Sequence, residues 1–137
     1  MPFDDSFLTP DPAGRARILP ILDAALEAVD PFRATQSFLA VDGNILSVAD
    51  RKYDLSSFRR IFVVGAGKAG APMALAIEAA LGARINDGLV VVKTGHVAAT
   101  QHVRLVEASH PMPDNAGVEA GRQILGLAKS AGEDDLF

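Results

Sequence analysis

The chain has 137 residues, enough for one domain with its own core, and 49% of them are apolar, a high share at this length. A net charge of −4 without a concentrated basic face argues against nucleic acid as a partner, and the absence of cysteine excludes disulfides, thiolate metal sites and thiol nucleophiles. No apolar run approaches the roughly 20 residues of a membrane helix, and the acidic start Met1-Pro2-Phe3-Asp4-Asp5 lacks a signal-peptide pattern, so the expectation is a cytoplasmic protein without a membrane partner.

Residues 1–11, polar and proline-containing, read as a flexible lead-in. Asp11-Pro12 is a helix start, with Asp as cap and Pro at the first helical position. Ile18, Ile21, Leu22, Ala25, Leu26 and Val29 then recur at helical spacing, which predicts a packed face; Pro20 should kink this helix or move its start. Asp30-Pro31 ends it and caps a second short helix through Phe38. Asp42-Gly43-Asn44 is a turn signal, and a strand pair, 44–48 and 51–55, is expected around Ala49-Asp50.

The stretch Ile61-Phe62-Val63-Val64-Gly65-Ala66-Gly67-Lys68-Ala69-Gly70 organises the rest. Its continuous apolar run predicts a strand buried on both faces, as in a parallel sheet covered by helices. Gly65 and Gly67 allow a sharp turn and close approach to a ligand, and the N–H groups opening the next helix suit an anion. That helix should begin near Ala69, since Pro72 is tolerated only in a first turn, and Glu78 is its sole polar side chain up to Leu81. A helix apolar nearly all round must be covered on nearly every side. Either the protein oligomerises, a homodimer being the simplest case, or further chain supplies the cover.

Gly65-Ala66-Gly67-Lys68-Ala69-Gly70 matches the dinucleotide fingerprint G-x-G-x-x-G, but the acid expected about 20 positions on is misplaced. Asp87 precedes the next apolar strand, Leu89–Val92, and its far end carries Lys93, a cation. The P-loop pattern fails as well, because Ala71 and Pro72 follow Gly70. What remains is a glycine turn with a lysine aimed at a phosphate or carboxylate. Lys93-Thr94-Gly95-His96 follows at a strand's carboxyl end, where open α/β sheets bind ligands. A third strand at 103–106 comes after a connection short for a parallel crossover, which leaves its direction open. Asp114 reads as the cap of a last helix with Val118, Gly121, Leu125 and Ala128 on one face, rather than as a magnesium ligand. His102 reads as a surface residue, and three histidines without paired spacing make no metal site. Gly132 to Asp135 form a turn, and Leu136-Phe137 open another strand, so the chain reads as the N-terminal part of a longer protein. The fold expected is a three-layer αβα Rossmann-like sandwich with a mostly parallel sheet, incomplete at its C-terminus.

Lys68 in its glycine turn, Lys93-Thr94-Gly95-His96 and Ser109-His110-Pro111-Met112-Pro113-Asp114, in this order and spacing, resemble the glycerate 2-kinase family of the MOFRL type, or class II glycerate kinases. Members of this family have often been labelled hydroxypyruvate reductases. The resemblance runs from about Arg15 to Phe137. It implies phosphoryl transfer from ATP to the 2-hydroxyl of D-glycerate, giving 2-phosphoglycerate, with Mg²⁺ or another divalent metal. It also implies that a glycine- and serine-rich phosphate loop, an arginine opposite the lysine and the C-terminal MOFRL domain lie outside these residues. Lys68 matches the lysine of the family's cleft and is the catalytic candidate; Gly65, Gly67, Lys93, His96 and His110 are the substrate- and nucleotide-binding candidates, with no metal ligand assigned. Phosphoryl transfer depends on positioned cations more than on covalent chemistry, which suits this set. Two other readings stay open on the residues alone. One is a nicotinamide-dependent hydroxypyruvate reductase; the other is a non-catalytic module binding anions or sugar acids.

Overall fold

The computed structural model describes residues 11–137, so all of the expected lead-in except Asp11 lies outside the described residues. Helix α1 (Pro12–Ala28) starts where Asp11 accepts the N–H groups of Ala13 and Gly14 at 3.1 and 2.9 Å, and Pro20 neither shifts its start nor interrupts it. Asp30 caps α2 (Pro31–Phe38) through the Arg33 N–H at 2.8 Å. The packed face expected of α1 is not there: the helix buries none of its residues, and Ile21 and Val29 are 69% and 70% exposed. It is α2 that packs, against α3.

Strands β1 (Leu39–Asp42), β2 (Ile45–Val48) and β3 (Arg51–Asp54) form an antiparallel meander. The β2–β3 pair follows the sequence expectation, while β1 is an addition, a four-residue strand held by its register against β2 from Leu39↔Val48 to Asp42↔Ile45. A second sheet contains β4 (Arg60–Ala66), β5 (Asp87–Lys93), β6 (Arg104–Ala108) and β7 (Asp135–Leu136), all parallel, in the order β6-β5-β4-β7. The strand whose direction was open, β6, therefore runs parallel to β5, joined to it without an intervening helix.

Two helices cover this sheet, α3 (Gly70–Leu81) and α4 (Asn115–Ser130). A Cβ on Gly70 would meet Val90 and Val92, so α3 lies over that face of β5. On α4, Gly117 stands against Ala108, which shares its face with Lys93 and Val91 by register, so α4 covers the other side. The result is three layers. Right-handed crossovers require this, since β4-α3-β5 and β6-α4-β7 advance across the sheet in opposite directions. Strand order and crossing make the doubly wound pattern 3-2-1-4, whose switch point falls between β4 and β7.

One core joins both sheets: Leu46 and Leu55 from the meander region meet Ile61, Val63, Ala74, Val90 and Val103. On α4 the inward stripe is Gly117, Ala120, Ile124 and Leu127, one position off the expected face; Val118 and Leu125 are half exposed. Small residues decide this, because Gly117 and fully buried Ala120 let the helix sit close to β6, which the bulkier Val118 would prevent. No helix among the described residues is long and apolar enough to cross a membrane.

Two-residue β7 is anchored by charge. The Asp135 carboxylate accepts from Arg60 at 2.7 and 3.2 Å, from Arg59 at 3.2 and 3.3 Å and from the Gly132 N–H at 2.8 Å. Hydrogen bonds from Arg60, then Arg59, then Gly132 hold its carboxyl well below the ordinary 3.8 despite burial. A depressed carboxylate stabilises the fold fully above its ordinary pKa, and the contribution is lost as pH falls through the lower folded value. Asp135→Asn is therefore expected to lower the melting temperature at pH 7. The gap from the parent protein should narrow as pH drops below that of an ordinary carboxylate; a gap constant down to strong acid would contradict this.

Candidate functional site

The carboxyl ends of β4, β5 and β6 open on the same edge of the sheet, and each is followed by one of the segments singled out in the sequence. After β4, the turn is made by Gly67 at φ 137°, a backbone region that side-chain-bearing residues rarely enter. Its N–H donates to the Val91 carbonyl at 2.8 Å, and its carbonyl accepts the Gly70 N–H at 3.0 Å, so the turn is tied to β5 before α3 begins. Gly65 is not part of the turn: it lies within β4 with its Cα facing the Val90 side chain. Gly70 is a contact glycine, its place filled by Val90 where a Cβ would stand 2.6 Å from Cγ1. This is the close helix–strand packing that the last glycine of G-x-G-x-x-G serves.

Lys68 thus projects, exposed, from the turn just before the first N–H groups of α3, whose preceding residue Ala69 supplies no side-chain cap. The Gly70 and Met73 N–H groups are taken by the Gly67 and Ala69 carbonyls and Pro72 has none, so the charge offered at this helix start is that of Lys68. After β5, Lys93 to His96 close a type II turn: the His96 N–H donates to the Lys93 carbonyl at 2.9 Å, with Gly95 at φ 80° in the third position. The Glu107 carboxylate accepts the Gly95 N–H, and Thr94 donates to the Ala108 carbonyl, fastening this turn to β6. After β6, Asp114 spends both oxygens on the backbone. It accepts the Ser109 N–H at 3.0 Å and the Gly117 N–H at 2.8 Å, and so ties the loop carrying His110 to the start of α4.

Lys68 lines two hollows. One, of about 100 Å³, brings Lys68 together with Lys93, Ser109 and His110 over Gly67 and Ala108. The other, of about 430 Å³, lies between the start of α2, the first turns of α3 and the loop after β5, and brings Lys68 together with His96. Lys68, Lys93, His96 and His110 therefore stand around a single edge, as their spacing suggested, with Lys68 common to both hollows. Asp87 is at the opposite end of β5, paired in register with Phe62 near the start of β4, far from the glycine turn. Among the described residues, no three His, Asp or Glu side chains converge to hold a metal ion.

A residue the sequence did not single out for the site controls one wall. The Glu78 carboxylate accepts the N–H groups of Gln101, His102 and Val103 at 2.6 to 3.0 Å and so clamps the β5–β6 connection onto α3. His102 is accordingly part-buried and bonded through its backbone, not a free surface residue. Burial opposes the charge on Glu78, but these three donors and the nearby His102 outweigh it and lower its pKa. The only sequence signal was a lone carboxylate in an otherwise apolar helix. Glu78→Ala should destabilise the fold by about 2 kcal/mol, the scale of lost hydrogen bonds to a charged group, with the largest gain in amide exchange at 101–103. Unchanged exchange there would contradict the clamp.

The family described as a domain of unknown function, DUF4147, matches residues 17–137. A protein of Agrobacterium vitis, provisionally named a hydroxypyruvate reductase, is 43% identical over 77 residues, covering 56% of this chain and 20% of that protein. A D-glycerate 2-kinase of Thermotoga maritima is 33% identical over 116 residues, covering 84% of this chain and 24% of the relative. The fold superimposes on a crystal structure of a Pyrococcus horikoshii protein with a TM-score of 0.77 at 29% identity, covering 88% of this chain and 27% of that one. The chain thus spans about a quarter of the length of such relatives.

Proposed function

The chain belongs to the DUF4147 family, the N-terminal domain of MOFRL-type glycerate 2-kinases, and from that premise we propose that it forms one wall of an ATP-dependent glycerate 2-kinase. In this reading it is the N-terminal part of a longer enzyme, phosphoryl moves from ATP to the 2-hydroxyl of D-glycerate, and the product is 2-phosphoglycerate. The supporting observation is the gathering of Lys68, Lys93 and His110 around one small hollow at the carboxyl edge of the sheet. Lysines held by a glycine turn and a strand end offer fixed positive charge where a phosphoryl group in transfer spreads negative charge over its oxygens. Lys68 is the residue assigned to that group.

ATP fits these residues as an anion. A divalent metal does not find a ligand set among them: Asp114 is committed to capping and Glu107 to the Gly95 N–H. Magnesium enters this reading only with the nucleotide. The reductase reading keeps the G-x-G-x-x-G match but is not favoured, because Asp87 sits at the far end of β5 from the turn and Lys93 occupies the end where a ribose-binding acid would be. The 137 residues alone are expected to be inactive, since a transferase cleft needs both walls.

Phosphorus NMR of the product tests the assignment. The protein extended beyond Phe137, given ATP, Mg²⁺ and D-glycerate, should yield 2-phosphoglycerate and leave NADH untouched in the presence of hydroxypyruvate. The 3-phosphate isomer, or oxidation of NADH, would count against it.

A further inference from the structure

Lys68 lines two hollows that differ in size and in the charged side chains around them. The smaller, about 100 Å³, sets two lysines, a serine and a histidine around a floor of Ala66, Val91, Val92 and Ala108. That is the liquid share of roughly three waters, and its two lysines suit the carboxylate end of a small hydroxy acid. The larger, about 430 Å³, falls in the range of small-molecule sites. Pro31, Pro72, Leu75, Val97 and Ala98 give it apolar walls, and its only ionisable members are Lys68 and His96.

We infer that the two substrates of the reaction proposed above, on which this rests, divide between the hollows. The acid's carboxylate enters the small one against Lys93 and His110. The base and ribose of the nucleotide lie in the large one, and the phosphate chain runs toward Lys68. The terminal phosphorus then passes beside Lys68, the residue common to both hollows. Its bond to the bridging oxygen breaks, ADP keeps that electron pair, a new bond forms to the acid's 2-hydroxyl oxygen, and the hydroxyl proton leaves to solvent. The opposite placement sets a small, strongly hydrated acid among Leu75 and Val97, away from Lys93. Both positions are held through the backbone: Lys93 by its ladder with β6 and the turn to His96, His110 by the Ser109 N–H bond to Asp114.

Titration of D-glycerate and of ATP, each alone, into the protein extended beyond Phe137 tests the division, with the two KM values as a second readout. Lys93→Gln should weaken D-glycerate at least tenfold and ATP less than twofold, with partial recovery in Lys93→Arg. Val97→Asp, at an exposed wall position, should weaken ATP at least fivefold and D-glycerate less than twofold. The reverse pattern, or equal effects on both ligands, overturns the division even in an enzyme that phosphorylates glycerate. A parent protein that binds neither ligand overturns the kinase reading itself, and the division with it.

Discussion

In the protein extended beyond Phe137, Lys68→Met lowers kcat by a factor of about 10² to 10³, the range for removing one preorganised electrostatic contact to a transition state. The melting temperature should move by no more than about 2 °C, as for a surface substitution without a structural mechanism. Lys68 is exposed and takes part in none of the ion pairs among the described residues, so the fold does not depend on its charge. Methionine keeps most of the stem and removes the ammonium. If the lysine acts on the phosphoryl group in transfer, kcat falls while KM for D-glycerate changes little. A rise in KM alone would make Lys68 a ground-state contact, and near-normal turnover would remove it from the site.

Gly70→Ala acts through the fold instead. Its new Cβ would stand 2.6 Å from Val90 Cγ1 and 3.2 Å from Val92 Cγ1, and both valines are buried, at 4% and 1% exposure. Neither can turn aside within a packed core, so α3 must move off β5. The expected cost is about 2 kcal/mol, typical of overpacking, less what alanine gains over glycine in a helix. Because Lys68 is carried by the turn that opens α3, activity should fall with stability. Combining the change with Val90→Ala should make the penalty of Gly70→Ala smaller than it is alone, since the two side chains compete for one space. Strict additivity would show that the clash is absent.

These two residues also illustrate what the sequence could and could not reveal. The β4–turn–α3 unit was legible because its signals are local: an unbroken apolar run, a glycine turn, a proline confined to the first turn. Caps were legible for the same reason, and Asp11, Asp30 and Asp114 all bond the N–H groups expected of them. The separate tasks of Gly65, Gly67 and Gly70 were not, because the spacing G-x-G-x-x-G does not say which glycine turns and which merely lies against Val90. Strand β1 was missed because its stability comes from pairing with β2, not from its own four residues. The face of α4 slipped by one position because apolar residues occur on two sides of that helix, and only contact with β6 chooses the small ones. Arg60 with Asp135, and Glu78 with the connection at 101–103, join positions 75 and about 24 residues apart. Such pairs leave no mark in local pattern. The convergence of Lys68, Lys93, His96 and His110 was readable in outline, since residues after parallel strands collect at one sheet edge; the split into two hollows needed the packing of α2 and the loop after β5.

The most direct test is ADP formation by the protein extended beyond Phe137, with ATP and Mg²⁺, in the presence and absence of D-glycerate. ADP that appears only with D-glycerate, and is nearly abolished by Lys68→Met, is the predicted result. ADP formation independent of D-glycerate, or none at all from a folded protein, would contradict the assignment of Lys68 and its neighbours to phosphoryl transfer.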